Sequence, residues 1–336
     1  MLVEYISKGG RMLTAVITGV AGQDGSYLSE LLLEKEYLVV GITRRHGTSE
    51  EYRNIDHLFD HKNFKFIEGD ICDTTFISRV LHDYKPHEWY NLAAMSHVGQ
   101  SFKEPLMTFD VDAKAVIGQL ECIRRTSPYT RFYQASTSEL FGGINCPSEG
   151  YDENSLFNPR SPYAIAKLAA YWAVKNYRTA YNLFACNGIF HNHSSPRRGY
   201  DFATRKITRG VAKVKLGLED TVKMGNLSAF RDEGHSKDYC RAMHLMLQQD
   251  QPNDYIVATG DGATIRQMFE YVCELAGLNI DDVYEVDERF MRPSDVPFLL
   301  GNPTKVMKDL GWRPEYTWKA LLKEMYEKDL EELQKN

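Results

Sequence analysis

TAVITGVAGQDGSYLSELLLEKE, residues 14–36, is the stretch whose reading decides the fold. Thr14–Ile17 is a short β-branched run and reads as a first strand. Gly19, Gly22 and Gly25 follow it as GxxGxxG, and Ser26–Glu36 then carries Leu28, Leu31 and Leu32 at helical spacing. Strand, glycine turn and helix in that order let the backbone approach a pyrophosphate and aim the helix N-terminus at it. Outward from this unit, Tyr37–Thr43, Phe64–Ile67, Glu88–Leu92 and Arg131–Ala135 read as further strands, with helical patterns between them. That alternation predicts an α/β fold with a parallel sheet covered on both faces.

A glycine turn on the first strand of such a sheet makes the expected architecture Rossmann-type, doubly wound, with a smaller C-terminal substrate-binding domain. The pattern changes after Phe190: His191–Gly199 is rich in polar and turn residues, while Gly262–Leu278 and Thr317–Leu333 look helical. The expected division is a dinucleotide-binding domain over 12–190 that returns around 232–262, and a substrate domain over 191–231 and 263–330. Met1–Arg11 is polar and is expected to be an extension ahead of a start at Met12.

The chain has 336 residues, 43% hydrophobic and 26% charged, with a net charge of −6. This is the balance of a globular enzyme, and it argues against a nucleic-acid or anionic-membrane partner. The six cysteines are scattered without a CxxC pair, which fits reduced thiols and no metal site. No stretch reaches the roughly 18 apolar residues that span a bilayer, so a cytoplasmic location is expected.

Arg44 and Arg45 stand at the end of the second strand, where an NAD enzyme usually places an acid for the ribose hydroxyl. Two guanidinium groups there suit a 2′-phosphate, so NADP is the expected cofactor. Tyr163 and Lys167 form YAIAK, with Ser161 and Pro162 ahead of them as a helix start. Spacing of i and i+4 puts both on one helix face, and a nearby ammonium favours the phenolate, so Tyr163 can act as a base. Glu139 follows in STSELFG. A carboxylate beside a sugar oxidised at C4 can take the acidified C5 proton and then protonate a departing C6 hydroxyl.

With these residues in place, the chain resembles the GDP-mannose 4,6-dehydratases of the extended short-chain dehydrogenase type, from about Thr14 to Leu330. TGVAGQDGSYL, GITRR, NLAAMSHV, YQASTSELFG, NPRSPYAIAKLAAYW, YNLFACNGIFHNHSSPRRG, TRKI, GNLSAFRDEGHSKDY and RPSDV carry the likeness. The resemblance implies Thr137, Glu139, Tyr163 and Lys167 as the catalytic set, with Thr137 binding the hydroxyl that is oxidised. It implies Gln23, Asp24, Asp70, Ile71, Ala93 and Arg198 beside the glycines, the arginine pair, Tyr163 and Lys167 as cofactor contacts. For the substrate it implies Ser96, Thr137, Asn192, Lys206, Arg231, Arg292 and Asp295. Arg197 and Arg198 are expected to contact either cofactor phosphate across a subunit boundary or acidic neighbours.

The sequence departs from the family pattern at Met95 (Gln expected), His191 (Phe), Ser194 (Glu) and Glu233 (Trp). The expected activity is a hydro-lyase that converts GDP-mannose to GDP-4-dehydro-6-deoxy-mannose by internal hydride transfer through NADP. A GDP-heptose 4,6-dehydratase and an NDP-sugar epimerase or 4-keto-reductase of the same fold stand as alternatives. Helix faces within Lys103–Arg124 and the basic loop Arg44–Arg53 are expected to contact a second subunit, making a homodimer or homotetramer.

Overall fold

A computed structural model describes residues 12–44, 52–291 and 293–335. The extension 1–11 and two residues singled out above, Arg45 and Arg292, lie outside the described residues.

The first part of the chain runs β1 (Thr14–Thr18), α1 (Gln23–Glu34), β2 (Leu38–Thr43), β3 (Phe64–Glu68), α2 (Thr74–Tyr84), β4 (Glu88–Asn91), α3 (Val98–Ser101) and α4 (Pro105–Phe109). A π turn (Asp110–Lys114) joins α4 to α5 (Ala115–Thr126), and β5 (Arg131–Thr137) and a 3₁₀ turn (Ser138–Phe141) follow. Next come α6 (Pro162–Tyr181), β6 (Ala185–Phe190), β7 (Asn192–Ser194), α7 (Ala203–Lys215), β8 (Val222–Met224), β9 (Phe230–His235) and α8 (Ser236–Leu247). The chain closes with β10 (Tyr255–Val257), β11 (Gly262–Thr264), α9 (Ile265–Ala276), α10 (Ile280–Val283), β12 (Tyr284–Val286), β13 (Phe298–Leu299), α11 (Thr304–Leu310) and α12 (Trp318–Lys335).

These elements form two compact units. Unit 1 comprises residues up to Thr137, Ser161–Ile189 and Cys240–Tyr255; unit 2 comprises Ser138–Arg160, Phe190–Tyr239 and Ile256 onward. The large sheet has the strand order β10-β6-β5-β4-β1-β2-β3. β1 pairs in parallel with both β2 and β4, and β2–β3 and β4–β5 are also parallel. This is the doubly wound order, and the chain reverses direction of travel across the sheet between β1 and β4. Every residue of β1 and of β6 is buried, as a sheet covered on both faces requires. The core of unit 1 packs Val16, Val40, Ile42 and Trp89 of the strands against Ile77, Leu81, Leu120 and Val174 of the helices.

Unit 2 has its own core, in which Ile207 and Val211 of α7 meet Phe269 and Val272 of α9 and Leu321, Leu322 and Met325 of α12. Its strands are short: β11, β9 and β13 form one sheet with β7 on β9, and β12 pairs with β8. Helix α9 starts at a full capping box, Thr264 with Gln267, and stops at Gly277. The six cysteines form no disulfide. No helix among the described residues is long and apolar enough to cross a membrane.

The α/β reading of the sequence holds, with shifted edges. Helix α1 begins at Gln23 rather than Ser26, because Gly22 already stands at its N-cap with extended backbone. β5 runs on through Ser136 and Thr137, so Thr137 belongs to the strand and not to the turn after it.

Candidate active site

In unit 1, the site grows from the C-terminal ends of β1, β4 and β5. Gly19 takes φ +72°, and a Cβ there would stand 2.9 Å from the backbone N and Cα of Ala93. At Gly25 a Cβ would come within 2.5 Å of the Gly19 carbonyl oxygen. Both positions therefore exclude side chains, one by conformation and both by space. Gly22 offers no side-chain cap to α1, and Gln23 and Asp24 form its first turn, with Gln23 Nε2 donating to Asp24 Oδ1 at 3.1 Å. A bare, uncapped helix N-terminus beside a turn kept free of Cβ atoms is a cradle that fits a dinucleotide pyrophosphate.

A buried chain of neutral side chains fixes the strand ends around that cradle. Thr18 Oγ1 donates to Asn91 Oδ1 at 2.8 Å, and Asn91 Nδ2 donates to Gln134 Oε1 at 2.8 Å. Thr18 Oγ1 also accepts from the backbone N–H groups of Leu92 (3.1 Å) and Ala93 (3.2 Å). Motif reading marked Asn91 and Gln134 only as parts of longer matches; their role emerges once β1, β4 and β5 lie side by side. Of the other expected cofactor contacts, Arg44 is exposed just past β2. Asp70 lies just past β3 and accepts the Cys72 N–H at 2.9 Å, while Ile71 beside it is buried. Ser96 is exposed on the segment after β4.

Helix α6 begins as the sequence suggested. Ser161 Oγ accepts the N–H of Ala164 at 3.1 Å, and Pro162 occupies the first turn. Tyr163 and Lys167 are 8% and 3% exposed, and the Lys167 ammonium lies 5.7 Å from the centre of the Tyr163 ring. Lys167 Nζ donates to the carbonyl of Ala135 at 3.1 Å, two residues before Thr137. Tyr163, Lys167 and the end of β5 are thus brought together. Burial pulls the Lys167 pKa down, and the carboxylate of Asp112 opposes that pull. Sequence reading missed Asp112; it sits inside a helical stretch whose neighbours Asp110 and Lys114 look like an ordinary exposed i,i+4 pair.

In unit 2, Glu139 is buried on a 3₁₀ turn, two residues past Thr137 in the sequence. Phe141 of the same turn stacks on Tyr151 with ring centres 4.4 Å apart, and the Leu140 carbonyl accepts from Asn158 N at 2.7 Å. These contacts hold the turn that carries the acid. Asn192 of β7 pairs in register with Glu233 of β9, and Arg231 lies two residues before Glu233 on the same face of its strand. Arg231, 7% exposed, stands 3.9 Å from Asp295, which also accepts from Asn226 Nδ2 at 2.9 Å. Arg231, Asp295 and Asn192 therefore share one region.

Lys206 projects from α7 over the Phe290 ring, 3.3 Å from its centre. It lines an open cleft of about 820 Å³ whose cations Arg209, Lys213 and Lys223 stand among the carboxylates of Glu219, Asp220 and Glu285. Arg198 Nη1 donates to the His193 carbonyl at 2.9 Å and its guanidinium lies 3.9 Å from the Phe202 ring centre. Two departures from the family pattern meet here. Ser194 Oγ donates to the buried Glu233 Oε1 at 2.5 Å and lies 2.8 Å from Thr204 Oγ1. Burial raises the Glu233 pKa, and Ser194, Arg198, His193 and Arg231 hold it back.

The comparisons with known proteins agree with one another. A family model described as GDP-mannose 4,6 dehydratase matches residues 16–325. A GDP-mannose 4,6-dehydratase of Vibrio cholerae is 44% identical over 356 residues, covering 96% of this chain and 95% of that protein. The GDP-mannose 4,6 dehydratase 2 of Arabidopsis thaliana is 45% identical over 327 residues, covering 94% of this chain and 87% of that protein. Among solved structures, a UDP-glucose 4-epimerase from Thermotoga maritima superposes with a TM-score of 0.83 at 24% identity, covering 96% of this chain and all (100%) of that one. A dTDP-glucose 4,6-dehydratase from Bacillus anthracis in complex with NAD superposes with a TM-score of 0.83 at 21% identity, covering 96% of this chain and 97% of that one. The two superpositions bear on fold alone. Similarity at this level over nearly the whole length, in a chain that carries the glycine cradle, the buried Tyr163 and Lys167 and the STSELFG turn, places the chain in the GDP-mannose 4,6-dehydratase family of hydro-lyases.

Proposed function

We propose that this protein eliminates water from the hexose of GDP-mannose to give GDP-4-dehydro-6-deoxy-mannose, with NADP as a cofactor that ends each turnover as it began. Near-full-length identity of 44–45% with proteins named for that reaction is the observation that carries the reading. The glycine cradle and the arginine pair Arg44 and Arg45 would hold the cofactor, which would supply a reversible hydride acceptor for the step between C4 and C6 of the sugar.

The side chains divide the remaining work. Tyr163 accepts the proton of the C4 hydroxyl as the base, and Lys167, buried one turn on, favours its phenolate. Thr137 at the end of β5 binds the same hydroxyl. Glu139 takes the C5 proton, which the new ketone has acidified, and then protonates the departing C6 hydroxyl; Tyr163 or Glu139 returns a proton to C5 as hydride is delivered to C6. Asn192, Lys206, Arg231, Arg292 and Asp295 receive the GDP part. An overall acidic chain needs local cations for a pyrophosphate, and Lys206 and Arg231 in unit 2 fit that need. The exposed Arg44 beyond β2, with Arg45 beside it in sequence, favours NADP because a guanidinium pairs well with a 2′-phosphate. The four family departures leave all four catalytic groups in place.

The test is incubation with GDP-mannose and trace NADP⁺. The expected result is many product molecules per cofactor molecule, detected as a 4-keto-6-deoxy sugar nucleotide. Absence of product, or consumption of cofactor one for one, overturns the assignment. Competition between GDP-mannose and a GDP-heptose, with product from each quantified, decides the sugar. A second subunit is part of the same proposal and is read from the mass in solution.

A further inference from the structure

The connection from β2 to β3 has no part in the scheme above, yet its residues 52–59 hold to three separate pieces of unit 1. The backbone is tightly folded there: Ile55 N–H donates to the Tyr52 carbonyl at 2.8 Å, and Leu58 N–H to that of Ile55 at 2.9 Å. Apolar groups fix the segment to the sheet. Ile55 and Leu58 are buried, and the rings of Tyr52 and Phe59 each meet Phe66 of β3 edge-on, with centres 5.2 Å apart. On α1, Glu30 Oε1 lies 2.6 Å from His57 Nε2. The third attachment is to the glycine turn, where Asn54 Nδ2 donates to the carbonyl of Ala21 at 3.1 Å.

That carbonyl stands at a sensitive point. Ala21 and Gly22 share one peptide plane, and Gly22 is the N-cap of α1. The N–H of this peptide donates to the Gly19 carbonyl at 3.0 Å and its C=O accepts from Asn54, so it is held on both edges. A glycine turn lets a ligand come close by giving up Cβ atoms, and it gives up conformational order with them. No side chain at the N-cap restores that order, because Gly22 has none to offer. The first N–H groups of α1 have no partner inside the helix and take their direction from the peptide ahead of them. Asn54, carried on a segment fixed to β3 and α1, holds that peptide from outside the turn.

We propose that Asn54 is a positioning residue for the dinucleotide site: through the Ala21 carbonyl it fixes the peptide that leads into α1, and so sets the aim of the helix N-terminus at the pyrophosphate. It touches neither cofactor nor substrate in this scheme. The inference deepens the cofactor site of the proposed function and rests on that reading of the glycine turn. The pyrophosphate is common to NAD⁺ and NADP⁺, so the effect of Asn54 belongs equally to both. Arg44 differs in this, because a 2′-phosphate is present in NADP⁺ alone.

The test is binding without turnover: bound NADPH, followed by its fluorescence, is displaced from the whole protein by NADP⁺ and separately by NAD⁺. Asn54→Ala removes the donor and brings no charge. It should weaken both dinucleotides by about fivefold and leave the ratio of their affinities within about twofold of the parent ratio. Asn54→Asp keeps the shape of the side chain, cannot donate to the Ala21 carbonyl, and should lose at least as much. His57→Ala removes the attachment to α1 and leaves Asn54 in place, and both affinities should stay within about twofold of the parent. Ligand-free Asn54→Ala should melt within about 3 °C of the parent.

Four results overturn the proposal. Affinities that do not change in Asn54→Ala, whatever its melting temperature, make the bond a structural one. A loss seen with Asn54→Asp and absent from Asn54→Ala reports the added charge. A loss confined to NADP⁺ means that Asn54 serves the 2′-phosphate instead. An equal loss in His57→Ala assigns the effect to the whole segment and not to the Ala21 contact. A parent that binds neither dinucleotide takes down the cofactor reading and this inference together. If the parent binds them and responds to Asn54 as expected but dehydrates no sugar nucleotide, the proposed function falls and the assignment of Asn54 stands. If dehydration proceeds and the affinities are indifferent to Asn54, the assignment falls alone.

Discussion

The two units set their polar groups by different means. Unit 1 shapes the ends of its strands with neutral groups, Thr18, Asn91 and Gln134, linked by hydrogen bonds of 2.8 Å. It also holds a largely buried ion pair, Arg178 with Asp254 at 2.5 Å. Unit 2 relies on charge. Arg205 and Asp329, 2% and 0% exposed, pair at 2.8 Å; Asp329 also accepts from Thr208 Oγ1 at 2.7 Å, and Arg209 approaches the same carboxylate. Arg231 faces Asp295, and Glu233 lies among Arg198, His193 and Arg231. The contrast fits what each unit is proposed to hold. A cradle made of backbone needs a fixed shape, and neutral bonds supply it independently of salt and pH. A surface for a polyanion needs cations that remain charged and ordered while it is empty, and neighbouring carboxylates supply that at the cost of buried charge.

The change expected to matter most falls on Glu139, the unit 2 acid proposed to move the C5 proton. Glu139→Gln keeps the size of the side chain and removes its proton-transfer ability. The 6-deoxy product should form about 10²–10⁴-fold more slowly, and solvent deuterium should no longer enter at C5. An unchanged rate would leave Glu139 a buried acid on a turn and assign the proton transfers at C5 and C6 to another group.

The next effect is on stability. Asp329→Ala leaves the buried Arg205 only the more distant, exposed carboxylate of Glu332 at 3.7 Å, and breaking a buried pair in this way costs up to about 3–5 kcal/mol. Amide hydrogen exchange should show lost protection in α7, whose Arg205, Thr208 and Arg209 all meet Asp329, while β1 keeps its own. Equal loss in both units would erase the distinction drawn above. Asn91→Leu probes the other side. It deprives Thr18 Oγ1 of its acceptor and Gln134 of its donor, at about 1–3 kcal/mol for each group left unsatisfied. Denaturant midpoints at low and high salt check the mechanism, because the cost of Asn91→Leu should be the same at both.

The same contrast explains what could be read from the sequence. The glycine turn, the strand alternation and YAIAK are local patterns. Each is complete within a few residues, so the cradle, the sheet and the Tyr163–Lys167 pair were legible. Asp112 was not, because its meaning depends on a π turn that rotates it inward between Asp110 and Lys114, which look like its equals in sequence. Ser194 and Glu233 stood out as departures, but their hydrogen bond depends on β7 lying beside β9. Strands of two or three residues, such as β8, β12 and β13, are shorter than any alternation can reveal. In unit 2, where positions are set by long-range ion pairs, local pattern says least.

The smallest expected effect is one of pH, and it is specific to a residue in which this chain departs from its family. His191, 1% exposed, stacks on Phe141 with ring centres 6.4 Å apart, and burial pushes its pKa down to about 3. In the unfolded chain the imidazole takes up a proton near its ordinary pKa of about 6.5. Between those values the unfolded state binds the extra proton, so folding loses stability as pH falls, by about 1.4 kcal/mol at one pH unit below the unfolded value. Unit 1 carries a weaker counterpart, His244, pushed down to about 4. The two windows overlap from about 6.5 to 4, and below that only His191 continues to contribute. His191→Phe restores the residue the family pattern expects and has nothing to titrate. Its stability relative to the parent should therefore be flat above neutrality and should rise as pH falls, with the gain still growing once His244 has taken up its proton. A difference between the two proteins that does not vary with pH would mean that His191 takes up its proton in the folded protein as it does in the unfolded chain, so that burial against Phe141 does not hold it neutral.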